Sequence, residues 1–178
     1  MTLANKITIL RIFLIPAFLI TFAFSQSWAA WACVAIIILS WITDAMDGWI
    51  ARARNQVTTF GKFMDPLADK LFVMAVMLCF VAIGKIAVWI AVIVLLRDFV
   101  IDGIRTLAAS EGRIIAANWW GKWKLFSQMI ALASLCLDRI WDYSGGIVSI
   151  VLIYIMLTLT IVSGWTYLQA NWKLLSFK

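Results

Sequence analysis

Residues 44–69 read DAMDGWIARARNQVTTFGKFMDPLAD and lie between two apolar runs that are each long enough to cross a bilayer. The four aspartates of this stretch form two pairs, spaced three and four residues apart, so each pair lies on one face of a helix. A carboxylate at the centre of a bilayer costs about 2.5–3.5 kcal/mol on insertion scales, so four of them require a compensating cation or a function. They are Asp44, Asp47, Asp65 and Asp69. The stretch therefore predicts a metal site at membrane depth.

The composition of the chain also indicates a membrane protein. Of its 178 residues, 65% are hydrophobic and 13% are charged, whereas soluble domains contain about 45–50% and about 25%. The apolar residues form runs of about 20, the length that a helix needs to cross the hydrocarbon core. We predict one domain, residues 1–178, that is an all-α integral membrane protein with six transmembrane helices. The predicted spans are 7–24, 28–51, 66–84, 86–106, 123–140 and 147–169.

Positive charges fall mainly on one side of this six-span arrangement. The opposite side carries only Lys85 and Arg139. The positive-inside rule then predicts that both termini and the opening of the acidic stretch are cytoplasmic. The net charge of +6 is explained by topology and by attraction to anionic lipid headgroups, and it predicts no nucleic-acid partner. Because no transit segment precedes the first span, we expect the inner membrane of a prokaryote.

The absence of histidine restricts the chemistry. The chain has none, which excludes a histidine general base, a Ser/His nucleophile and histidine metal ligands. The cysteines Cys33, Cys79 and Cys136 have no short paired spacing, so they indicate packing residues rather than a zinc or redox site. A proton transfer would therefore use a carboxylate or a less common group.

Small residues accompany the two aspartate pairs at helical spacing. If the third helix begins near residue 60, the short connector 53–60 makes the two acidic helices antiparallel neighbours, and the four carboxylates converge. A small residue on the acidic face lets a ligand or the partner helix approach the backbone, and an arginine there offers a planar cation to a diphosphate. The accompanying residues are Gly48, Ala51 and Arg52 on the first face and Gly61 on the second.

Oxygen ligands without histidine or cysteine suit a hard cation such as Mg²⁺, Mn²⁺ or Ca²⁺. Four carboxylates can hold two such ions, an arrangement that clamps the attacking and leaving oxygens of a phosphoryl displacement. Phosphoryl transfer is therefore the leading hypothesis. Two alternatives remain: an ion pathway or cation carrier that uses the same carboxylates, or structural salt bridges with nearby cations. Those cations are Arg52, Arg54, Lys62 and Lys70.

A second cluster of cations lies at the predicted cytoplasmic ends of spans four and five. Arg97 and Arg105 are eight residues apart and share one helical face. Such a cluster suits an acceptor that carries a phosphate, because cations bind a dianion through charge-assisted hydrogen bonds. Alternatively, these two arginines satisfy Asp98 and Asp102 within the bundle. The candidate phosphate ligands are Arg97, Arg105, Arg113, Lys122 and Lys124.

At every defined position the chain resembles the signature of the CDP-alcohol phosphotransferases. The matching residues are Asp44-x2-Asp47-Gly48-x2-Ala51-Arg52-x8-Gly61-x3-Asp65-x3-Asp69. Asn5-x-x-Thr8-x-x-Arg11 is similar to the amino-terminal element of the same family, with Ala4 where proline is common.

The resemblance implies that an alcohol attacks the β-phosphorus of a CDP-linked lipid and releases CMP. It further implies that Asp44, Asp47, Asp65 and Asp69 hold Mg²⁺ or Mn²⁺, as two ions, and that Asp69 also takes the proton of the acceptor hydroxyl. The family also suggests a homodimer. The residues implied at the CDP-lipid site are Asn5, Asp47, Gly48, Arg52 and Gly61.

Two further segments resemble the phosphatidylglycerophosphate synthase branch of the family. They are RDFVIDGIR at 97–105 and GKWK at 121–124, the latter followed by Gln128 and Met129. That resemblance implies CDP-diacylglycerol and sn-glycerol 3-phosphate as substrates and phosphatidylglycerol phosphate as product. Leu125 stands where the branch often has threonine. Phosphatidylinositol-phosphate synthase, whose acceptor is an inositol phosphate, and cardiolipin synthase, whose acceptor is phosphatidylglycerol, remain alternatives.

Overall fold

The part of the chain that the structure describes forms six α-helices and contains no β-strand. The structure is a computed structural model that describes residues 3–53, 59–110, 119–140 and 146–172, without the side chains of 3–7, 45, 47–53, 59–63, 65 and 66. The all-α prediction is confirmed. The helices are α1 (Leu3–Phe22), α2 (Ser27–Ala53), α3 (Thr59–Ala82), α4 (Val88–Ser110), α5 (Trp119–Leu137) and α6 (Ile147–Ala170).

Each predicted span overlaps one of these helices, but three helices begin at least four residues earlier than predicted, and the first of them, α1, begins at Leu3 rather than at 7. Helix α3 begins at Thr59 rather than at 66, and α5 begins at Trp119 rather than at 123. The hydropathy pattern excludes charged residues from a span, whereas the backbone hydrogen bonds of a helix continue through them. As a result Gly61 and Lys122 are helical residues, and the early start of α3 meets the condition for a second acidic face.

Two helical segments within the described residues are long and apolar enough to cross a membrane. They are Ser27–Asp44 and Ile147–Ala170. A shorter apolar stretch, Thr8–Phe22, lies in α1. That the other four helices also cross stays a prediction. Large apolar side chains such as Phe13 and Leu96 are exposed, whereas Arg11 and Lys124 are fully buried. This distribution is the reverse of that in a soluble domain, where lysine and arginine are almost never fully buried.

A central apolar core receives residues from all six helices. Helix α1 packs against α2 and α3, α2 against α5, α5 against α6, and α4 against both α3 and α6. Aromatic rings join α1 to α3: the centroids of Phe18 and Phe72 are 6.0 Å apart, and those of Phe22 and Phe80 are 5.2 Å apart. Because one continuous core joins every helix, the described residues pack as one unit.

The polar side chains gather at one end of the bundle. We call this region the polar end and define it by Arg11, Asp44, Asp69, Arg97 and Asp98. Arg11 contacts Asp44 and Asp69, and the other four residues line one cavity. At the opposite end, Gly84 has a φ of +72°. Its amide donates to the carbonyl of Val81 at 3.0 Å, so glycine there ends α3 in the left-handed conformation.

Candidate active site

A buried arginine lies at the centre of the polar end. The guanidinium of Arg11, on α1, is fully buried. Its Nη1 lies 3.4 Å from Oδ1 of Asp44 on α2 and 3.3 Å from Oδ1 of Asp69 on α3. Both carboxylates are partly exposed, at 44% and 39% of the side chain. The first and last aspartates of the signature lie on two different helices, α2 and α3, and contact the same guanidinium. They therefore converge, as their spacing predicted.

The remaining residues of the predicted metal and CDP-lipid sites lie outside the described side chains. Helices α2 and α3 are continuous through their positions, so Asp47 follows Asp44 by one helical turn and Asp65 precedes Asp69 by one. Arg113 lies in 111–118, outside the described residues. The positions whose side chains are not described are Asn5, Asp47, Gly48, Arg52, Gly61 and Asp65.

The donor chemistry of the polar end fits a hard divalent cation. Asp44 and Asp69 offer carboxylate oxygens that converge on one cationic group, the Arg11 guanidinium, and both are open to the neighbouring cavity. Hard cations prefer such oxygen ligands. Among the described residues no group of three or more histidine, cysteine, aspartate or glutamate side chains stands close enough to hold a metal. The described pair is thus half of the predicted set of four ligands.

A cavity of about 290 Å³ joins the acidic pair to the cation cluster. That volume is close to the lower limit for small-molecule sites, about 300 Å³. Arg97, Arg105 and Lys122, predicted as phosphate ligands, all line it. Its charged lining residues are Asp44, Asp69, Lys70, Arg97, Asp98, Asp102, Arg105 and Lys122. One cavity therefore offers both carboxylates and guanidinium and ammonium groups.

Lys124 occupies a different position from the other predicted phosphate ligands. It is fully buried, does not line the cavity, and donates to both oxygens of Asp98 at 2.9 and 2.7 Å. Asp98 also accepts from Nη1 of Arg97 at 3.0 Å. The alternative in which the charges of α4 satisfy one another therefore holds for Arg97 and Asp98. Asp102 instead pairs with Lys70 of α3.

Helix α6 contributes two side chains that the sequence did not single out. Ser163 accepts a hydrogen bond from Nη2 of Arg97 at 2.9 Å. The hydroxyl of Tyr167 lies 3.4 Å from Nε of Arg105, whose guanidinium carbon is 5.6 Å from the centre of the tyrosine ring. Their only signal in the sequence is that polar residues recur one turn apart in a highly apolar helix.

The burial of Arg11 was indicated more clearly by the sequence than that of Ser163 or Tyr167. Thr8 and Arg11 lie one turn apart on α1, and both are fully buried. Their shared face was visible in the spacing Asn5-x-x-Thr8-x-x-Arg11. The spacing did not indicate which helix this face contacts, and so Arg11 was not predicted to pair with the signature aspartates.

Comparison with known proteins gives a consistent result. A family model described as CDP-alcohol phosphatidyltransferase matches residues 1–165. A Bacillus subtilis protein is 36% identical over an alignment that covers 97% of this chain and 96% of the relative. A Haemophilus influenzae protein is 38% identical over 92% of this chain and 89% of the relative. A Yersinia enterocolitica protein is 37% identical over 94% of this chain and 93% of the relative. All three are named CDP-diacylglycerol--glycerol-3-phosphate 3-phosphatidyltransferase.

Proposed function

The chain belongs to the CDP-alcohol phosphatidyltransferase family, as its signature predicted, and we propose that it transfers the phosphatidyl group of CDP-diacylglycerol to sn-glycerol 3-phosphate. The products are CMP and phosphatidylglycerol phosphate. The observation that carries this proposal is the single cavity shared by the signature aspartates and by the cations suited to a phosphorylated acceptor. The names of the relatives support the same acceptor.

We place residues 1–178 in the inner membrane of a prokaryote as one domain with six crossing helices. Exposed apolar side chains such as Phe13, Leu96 and Ile161 support contact with lipid, because contiguous apolar surface is rare on soluble monomers. The lysine and arginine distribution supports cytoplasmic termini and a cavity that opens to the cytoplasm. A homodimer is proposed from the family resemblance.

The acidic pair and its two neighbours form the proposed metal site. Asp44 and Asp69, together with Asp47 and Asp65 one turn away, would hold two ions of Mg²⁺ or Mn²⁺. Such ions, when bound, neutralise the charge of the diphosphate and make the acceptor hydroxyl more acidic. In the proposed CDP-lipid site, Arg52 on the acidic face of α2 binds the diphosphate. Gly48 and Gly61 lack a side chain, so the diphosphate can approach the helix backbone there. The residues of this site are Asn5, Asp47, Gly48, Arg52 and Gly61.

The residues of the chain then perform the transfer by orientation and by proton acceptance. Arg97, Arg105 and Lys122 hold the phosphate of the acceptor in the cavity through charge-assisted hydrogen bonds. Asp69 accepts the proton of an acceptor hydroxyl, whose oxygen forms a bond to the β-phosphorus of CDP-diacylglycerol. The bond from that phosphorus to the bridging oxygen breaks, and CMP leaves. Lys124 acts on this site through Asp98, because the ion pair holds the carboxylate that binds Arg97.

The acceptor is tested with a panel of alcohols. Membranes that contain the protein are supplied with CDP-diacylglycerol and with labelled glycerol 3-phosphate, inositol phosphate, phosphatidylglycerol or serine. We expect lipid-linked label and CMP only with glycerol 3-phosphate, loss of both on chelation, and recovery with Mg²⁺ or Mn²⁺. Label from a different acceptor would overturn the acceptor assignment, and metal flux into proteoliposomes without CMP release would favour a cation carrier.

A further inference from the structure

Helix α6 carries a polar face toward α4 although it is the more apolar of the two candidate membrane spans. Thr160 and Ser163 are fully buried and Tyr167 is nearly so. Their offsets of three and seven residues place them on one side of the helix. Helix α6 packs against α4, and the two contacts described above connect this face to Arg97 and Arg105.

Ser163 is arranged to hold Arg97 in one position. Its Oγ donates to the carbonyl of Thr160 at 3.0 Å and accepts from Nη2 of Arg97 at 2.9 Å. A hydroxyl has one proton and two lone pairs, so the two bonds are compatible and the acceptor lone pair faces α4. Because Asp98 binds Nη1 of the same guanidinium, the group is held from both sides.

Gly164 provides the space in which Arg97 passes α6. A Cβ atom at this position would lie 3.2 Å from Cγ of Arg97, which is closer than ordinary van der Waals contact. Gly121 of α5 faces the far end of the same side chain, where an added Cβ would be 3.8 Å from Nη2. The stem of Arg97 is therefore confined by close packing as well as by hydrogen bonds.

Tyr167 supports Arg105 in a similar way. At 3.4 Å its hydroxyl is beyond the usual range for a strong N–H···O bond, and the face of its ring lies 5.6 Å from the guanidinium carbon. Aromatic rings within about 6 Å attract such cations. Arg97 and Arg105 lie two turns apart on α4. Ser163 contacts Arg97, and Tyr167 contacts Arg105.

We propose that Ser163 and Tyr167 are positioning residues that preorganise Arg97 and Arg105 as a paired site for a phosphomonoester dianion. This inference rests on the proposed function, in which the dianion belongs to the acceptor. Fixing the two guanidinium groups before binding removes the entropy cost of ordering them with the ligand. Helix α6 therefore sets the affinity for the acceptor while leaving the CDP-lipid site unaffected.

The test uses two substitutions, each with a matched control on the same helix. Ser163→Ala is compared with Thr158→Ala, because the Thr158 hydroxyl is exposed and donates to the carbonyl of Tyr154 at 2.8 Å. Tyr167→Phe is compared with Tyr154→Phe, because the Tyr154 side chain is 52% exposed. The KM of each substrate, kcat, and inhibition by inorganic phosphate are measured in membranes or in detergent.

We expect Ser163→Ala to raise the KM of glycerol 3-phosphate about ten-fold, because a hydrogen bond to a charged group is lost. Tyr167→Phe should raise it about three-fold, because it keeps the ring and loses a long hydrogen bond. The inhibition constant of inorganic phosphate should rise in parallel. We expect kcat and the KM of CDP-diacylglycerol to stay within two-fold, as should all constants of the controls.

Two results would overturn the positioning role. One is an unchanged KM for glycerol 3-phosphate in both variants, and the other is a joint loss of kcat and of affinity for both substrates, which indicates a structural role. If Ser163→Ala does not accumulate in the membrane, Tyr167→Phe decides the question. Absence of turnover with glycerol 3-phosphate in the unsubstituted protein would refute the proposed function itself, whereas normal turnover with unaffected variants would refute only the positioning role.

Discussion

The ion pair between Asp98 and Lys124 offers a quantitative test of the polar end. Lys124 is fully buried, the Asp98 side chain is only 14% exposed, and both carboxylate oxygens accept from Nζ, at 2.9 and 2.7 Å. At the shorter distance the gross attraction is about 6 kcal/mol with an effective dielectric constant of about 20. Removing one partner of a buried pair costs about 3–5 kcal/mol, because the remaining charge is left uncompensated.

Asp98→Asn should therefore lower the free energy of unfolding by about 3 kcal/mol, the lower end of that range, since the amide keeps one acceptor oxygen. For a chain of this size the loss corresponds to a fall in Tm of about 10 °C. Lys124→Met should cost about half as much, because Asp98 keeps its bond from Arg97 at 3.0 Å. We expect the double variant to be less destabilised than the sum of the two, which measures the coupling of the pair.

The assay is thermal unfolding in detergent with a thiol-reactive fluorophore. Cys33 and Cys136 are free and buried, so they react when the bundle opens. Lys85→Met serves as the matched control, because Lys85 is an exposed lysine, and it should shift Tm by less than about 2 °C. An Asp98→Asn variant with unchanged Tm, or strictly additive effects in the double variant, would refute the ion pair as a buried interaction.

Two further substitutions test the acidic pair. Asp69→Asn should lower kcat by about 10²–10⁴-fold, because that is the usual contribution of a general base. The measurement is an assay of CMP release. A rate within ten-fold of the unsubstituted protein would contradict the role of Asp69 as the base. Arg11→Met should lower Tm in the absence of metal, because Asp44 and Asp69 then repel each other without the guanidinium between them. The same variant should show a larger rise in Tm on addition of Mn²⁺ than the unsubstituted protein, and an equal rise would argue against a shared position for the guanidinium and the metal.

Much of the architecture could be predicted from the spacing of residues in the sequence. Apolar runs predicted six helices, and each was confirmed, because hydropathy and helical propensity act over neighbouring residues. The spacing within 44–69 placed two aspartates on each of two adjacent helices, and a short connector required those helices to be antiparallel. Asp44 and Asp69 therefore converge as expected. Arg97 and Arg105 line the cavity together because an interval of eight residues returns to one helical face.

Lys124 shows the limit of that reasoning. Its proximity to Lys122 in the chain suggested that both bind the acceptor. Residues two apart on a helix point in different directions, so Lys122 reaches the cavity while Lys124 turns inward to Asp98. The sequence predicted the charges of this region but not which of them neutralise one another, because that depends on the rotation of α5 relative to α4.

The amino-acid sequence by itself determined the helices, the lipid-compatible composition, the acidic signature and the family. The tertiary structure alone decided that Arg11 lies between Asp44 and Asp69, and that Ser163 and Tyr167 of α6 hold the arginines of α4. The physical reason is the range of the interactions. Periodicity reports which residues share a face of one helix, whereas a contact between Arg97 and Ser163, 66 residues apart, exists only after the helices have packed with a specific rotation and depth.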